Sequence, residues 1–166
     1  MAGSPAIRRA NYTGAIYGSL LAASVVVGAA AGSHGDVEVD PLRLSGLLVA
    51  TGLVFWLAHA YAHVVGARLR EAALDAPEIR RVIRGEWPLL QAALPPAATA
   101  LLFGLFGAGN ATAAWAALVA ALAGQVGWAS ITTFRAGASA SLLVLTAAVN
   151  LVLGLLIVVL KAALHH

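Results

Sequence analysis

The chain has no cysteine, a single methionine, and charged side chains at only 10% of its 166 positions. Without cysteine there are no disulfides, no thiolate metal ligands and no thiol redox chemistry. A soluble domain carries about 25% charged residues. The scarcity of charge therefore excludes a soluble globular enzyme, a disordered chain and a nucleic-acid module. Also missing are a Walker loop, a Gly-x-Gly-x-x-Gly turn, a potassium-filter signature and any nucleophile, base and carboxylate set. The nominal isoelectric point of 10.0 comes with a mean hydropathy of +0.88. It rests on ten Lys and Arg against seven Asp and Glu. So small an excess gives no reason to expect a nucleic-acid partner.

What is present is apolar surface, 61% of the residues. It falls into five Ala- and Leu-rich stretches, at about 13–31, 44–66, 89–107, 113–134 and 139–160. Each is near the roughly 20 residues that cross a bilayer as a helix. Strand periodicity is absent, and helices satisfy their own backbone in lipid. The expected fold is all-α: one transmembrane domain over 1–166 with five spans and a segment at 67–87 between spans two and three. The first stretch could serve as a secretion signal, but Ala15 to Ala31 is longer than a usual signal core, so a retained span is expected.

Every charged residue lies outside or at the edge of these stretches. Arg8, Arg9, Arg68, Arg70, Arg80, Arg81, Arg84 and Arg135 fall on one side, and only Arg43 and Lys161 on the other. The positive-inside rule then puts the N-terminus in the cytoplasm and the C-terminus outside. Within 67–87, Asp75-Ala-Pro77-Glu78 is a helix start, with proline in the first turn and acids at the positive end. Arg80, Arg81 and Arg84 alternate with Ile79, Val82 and Ile83. That pattern predicts a short amphipathic helix in the membrane interface, ending near Gly85. The small residues Gly14, Gly18, Ser24, Gly28 and Gly32 of span one allow close helix packing, within the protomer or between copies. The lipid bilayer and further copies of the chain are the expected partners.

The chemistry-bearing feature is in span two, Trp56-Leu-Ala-His59-Ala-Tyr61-Ala-His63. His59 and His63 are four apart and share a helical face, which Thr51 and Phe55 continue. Ionisable groups in a span are costly, and histidine suits proton relay or transition-metal ligation. The pair could equally be structural, placed near an interface with Trp56 and Tyr61 as an aromatic belt. Two histidines are too few for a metal, and Glu71, Glu78 and Glu86 are the nearest acids by topology. Ala60 stands where a zinc protease needs a glutamate, so that chemistry is not expected. In span three, Pro95 and Pro96 remove donors for the carbonyls of Gln91 and Ala92 and should kink the helix. Asn150 and Thr146 share a face of span five, and Gln125 of span four could face the same interior as Asn150. The expected pathway or ligand-binding set is His59, His63, Asn150, Thr146, Gln125, Gln91, Tyr61 and Glu86, with His59 and His63 as ligands if a divalent transition metal binds. His34, His165 and His166 are given no role.

The layout resembles the vacuolar iron transporter family of small five-span proteins, through Tyr17-Gly18 in span one, Pro95-Pro96 in span three and the 124–135 stretch in span four. The resemblance implies a cytoplasmic N-terminus, a main cytoplasmic segment between spans two and three, and cation transport. That family carries an acidic residue in its first span and a Glu-rich metal-binding segment. Here 14–32 holds no acid, and 67–87 holds four acids among five arginines. The Ala, Val, Arg and Gly bias also resembles small integral membrane proteins of high-GC bacteria, which implies the inner (plasma) membrane. A small transporter or channel for protons or cations is the expected function, and a non-transporting scaffold or accessory subunit is the alternative.

Overall fold

A computed structural model describes residues 5–31, 39–68 and 75–164. All its elements are helices: α1 (Pro5–Ala31), α2 (Pro41–Arg68), α3 (Ala76–Gly85), α4 (Trp87–Gln91), α5 (Leu94–Leu105), α6 (Asn110–Arg135) and α7 (Ala140–Leu164). By length and composition four runs could cross a membrane: Pro41–Arg68, Ala76–Leu105 taken together, Asn110–Arg135 and Ala140–Leu160. The apolar part of α1, Thr13–Ala29, is shorter. Four such helices are compatible with a multi-pass membrane protein.

The run 76–105 is broken twice, each time just before proline. Pro88 cannot donate to the Arg84 carbonyl, and its ring crowds that carbonyl. The chain accordingly turns at Glu86 between α3 and α4. Pro95 and Pro96 likewise abandon the carbonyls of Gln91 and Ala92. The expected kink is thus a full interruption at Ala92–Ala93, and α5 restarts with the Ala97 N–H on the Ala93 carbonyl at 3.2 Å.

Two turns close the C-terminal half. At each, a glycine with positive φ, Gly107 at 76° and Gly137 at 69°, ends the preceding helix. Ala108 N–H donates to Phe103 O and Gly107 N–H to Gly104 O, and Ala138 and Gly137 repeat the pattern on Thr133 and Phe134. This is the Schellman motif, in which left-handed glycine lets the chain cap its own last carbonyls.

Small residues set the packing. The core is Ala22, Ala23, Val26, Leu44, Leu48 and Leu118 with further alanines from α5 and α6. α1 lies centrally and packs on α6, α4, α7 and α2. A Cβ on Gly18 would lie 2.5 Å from the Leu89 carbonyl oxygen, and one on Gly52 would lie 2.9 Å from the Ala93 Cβ. The small-residue pattern of span one is therefore used inside the protomer at Gly18, whereas Gly28 faces open space.

Candidate functional site

The α2 stripe faces α1. Thr51 and Phe55 line an apolar gap of about 10 Å³ with Gly18, Leu48, Leu89 and Ala93. Further toward the α2 C-terminus the same seam opens into a cleft of about 370 Å³ lined by Thr13, Gly14, Tyr17, His59, His63 and Glu86. The His59 and His63 rings are 5.9 Å apart, and Tyr17 tilts against His59 at 5.5 Å. Glu86, at the α3–α4 turn, is only 7% exposed. His63 Nδ1 donates to its Oε1 at 2.6 Å, and the His63 side chain is 55% exposed. A buried carboxylate is costly unless paired, and this bond supplies the pairing. Gly14, which has no side chain, leaves room beside the second oxygen: a Cβ there would lie 4.0 Å from Glu86 Oε2.

Helix register gives the level of the cleft. Gly104 meets Pro41 and Gly52 meets Ala93, so α2 runs antiparallel to α5 one residue for one. Continued along α4, this register sets Trp56 beside Leu89 and His59 beside Glu86. Trp56 in fact packs edge-on against Trp87 at 5.5 Å, and its Nε1 donates to the Ile83 carbonyl at 3.2 Å. Tryptophan is enriched at membrane–water interfaces. His59 and His63 lie beyond that pair, toward the α2 C-terminus.

The expected site is therefore only partly assembled. His59, His63 and Glu86 come together. Tyr61 does not join them; it is 72% exposed, because two residues from either histidine is about 200° around the helix. Gln91 is exposed on α4, where Leu89 and Leu90 take the inward positions. Gln125 and Asn150 do meet, but elsewhere, between α6 and α7. Gln125 Nε2 donates to Asn150 Oδ1 at 3.1 Å, and Asn150 Nδ2 donates to the Thr146 carbonyl at 2.8 Å. None of the three lines the cleft. Gln125 Oε1 is buried without a partner among the described residues. Glu78 sits on α3 away from the cleft lining, whereas Glu71, His34, His165 and His166 lie outside the described residues.

Thr13, Gly14 and Tyr17 were not expected in the site. Their spacing over one helical turn was the available signal, but it reads equally well as packing. Among the described residues no three His, Asp or Glu side chains converge on one point, and the Glu86 oxygen nearest the pair is already engaged. No family model, curated protein or solved structure matches the chain.

Proposed function

We propose that this chain is a small integral membrane transporter for protons or cations, with the His59–His63–Glu86 cleft as its cytoplasmic binding site. The protein would cross the inner membrane of a bacterial cell five times, N-terminus inside, as the sorting of its arginines suggests. The observation that carries the reading is the buried Glu86 carboxylate bonded to His63 in the cleft that also holds His59 and Tyr17. Histidine is suited to proton exchange. His63 would take a proton from water, and His59, one turn deeper against Tyr17, would be the next acceptor. Beyond it lies an apolar gap with room for one water at most. Passage then requires the α1–α2 seam to part, which describes a carrier rather than an open pore.

The test is proton flux into proteoliposomes, read with an internal pH dye, for the wild type and the H59A/H63A variant. Flux should fall to the background of empty vesicles while the variant keeps its helicity and melting behaviour. Undiminished flux in the folded double variant overturns the reading. Vesicles loaded with a metal-sensitive dye extend the assay to the divalent cargo that the likeness to vacuolar iron transporters implies.

A second reading, a non-transporting accessory subunit, is favoured by one specific observation. The half-exposed His63 and the buried Gln125–Asn150 pair belong to separate places in the bundle, so no polar path links them. Absence of any flux from the wild type, with partner proteins co-purifying through the cleft end, would favour this alternative.

A further inference from the structure

We propose that the arginine face of α3 is a binding surface for anionic phospholipid headgroups. This goes beyond transport and holds whether or not the cleft moves ions. α3 divides cleanly by angle. Ile79, Val82 and Ile83 are half-buried, while Arg80, Arg81 and Arg84 are exposed on the opposite side. No α3 residue is buried in the bundle, so the helix rests on the flank of the protein and is not part of its core. It is nevertheless fixed there. The Ile83 carbonyl accepts the Trp56 indole N–H at 3.2 Å, and the next turn carries Trp87 against Trp56. Tryptophans gather where headgroups begin, so these bonds hold the α3 C-terminus at headgroup depth.

Among the described residues the charge of this face is uncompensated: none of the three arginines has a carboxylate partner. Asp75 and Glu78 stand at the N-cap and in the first turn of the helix, where they suit its positive dipole end. Glu86 is taken by His63. Three guanidinium groups then point away from the protein at the depth of lipid phosphates. A guanidinium fork binds phosphate oxygens through paired N–H donors, and basic residues beside a membrane are attracted by its anionic lipids. The apolar face of α3 leans on the bundle, so the arginines are what the helix offers to lipid. The arginines add a preference for phosphatidylglycerol-type lipid over a zwitterionic one.

Soluble phosphate offers the same oxygens, and the experiment separates the two. Binding of short-chain phosphatidylglycerol and phosphatidylcholine to the purified full chain in detergent is measured by native mass spectrometry. Wild type should prefer phosphatidylglycerol, and R80Q/R81Q/R84Q should lose that preference by about tenfold or more. R43Q, exposed at the other end of the bundle, should keep it, and millimolar inorganic phosphate should not compete. If the triple variant fails to fold, the three single variants carry the same trend in smaller steps. Equal binding of the two lipids by the wild type overturns the proposal. So does full preference in the arginine variants, or displacement of the lipid by inorganic phosphate.

Discussion

Single side chains decide most in this protein where there is no side chain at all. Gly18 lets α1 approach the Leu89 carbonyl so closely that a methyl group would sit 2.5 Å from the oxygen. The obstructing atom is backbone and cannot swing aside. G18A is therefore expected to destabilise the protein by about 1–3 kcal/mol, the usual penalty of overpacking, as read from thermal unfolding in detergent. G28A, with nothing near its Cβ, should be neutral in the same assay. A second prediction concerns the polar pair. Gln125 is fully buried and bonds Asn150 twice, through its side-chain and main-chain oxygens. A Q125A/N150A double-mutant cycle should return a coupling of about 0.6–1.7 kcal/mol, the range for polar pairs between membrane helices. A vanishing coupling would mean that the two side chains hold each other no better than they hold other partners.

At the scale of elements, the turn at Glu86 matters most. Pro88 breaks the run there, and the break aims Glu86 at His63 while α3 is tied to Trp56. P88A should restore the missing backbone bond, merge α3 with α4, and draw α3 away from α2. Spin labels on Val65 and Arg81 in the cysteine-free chain report this as a longer or broader distance distribution. An unchanged distribution would show that the tether to Trp56 sets the bend, with no part played by proline. The contrast with the sequence is instructive. The helical class and the apolar runs were legible because the runs are long, whereas the start of α1 at Pro5 and the full break at Ala92–Ala93 were not. The His59–His63 face followed from four-residue spacing, whereas Gln125 and Asn150, expected on a shared interior with the histidines, bond each other away from the cleft. Which of three nearby glutamates would pair with histidine was not legible, since that depends on the direction α3 takes after the Pro88 break. Nor was the share of Tyr17 and Thr13 in the cleft, because the apposition of α1 and α2 is a tertiary fact. Tyr61 looked like a site residue only through its closeness in sequence.

For the whole molecule, the arrangement of the chain in the membrane is the first thing to establish. Single cysteines introduced at Ala136 and at Ala108 lie at opposite ends of α6, with no native thiol to confuse the labelling. A membrane-impermeant maleimide should reach Ala136→Cys only from the cytoplasmic side and Ala108→Cys only from the other. Labelling of both from one side would mean that α6 does not cross. The exposed apolar surface of α7, with Leu151, Val152, Leu155 and Leu156 all outward, is of the kind that lipid tails or a second copy would cover.

The two glycine turns carry a mechanical consequence. Each joins its helices with its first bonds already made, so neither has slack to give. α5, α6 and α7 are thereby threaded into one stiff block, like three staves held by two short clasps. In the carrier proposed above, α2 would swing or slide against this block, carrying both imidazoles with it. Glu86, which precedes α4 directly, would stay behind as the fixed point.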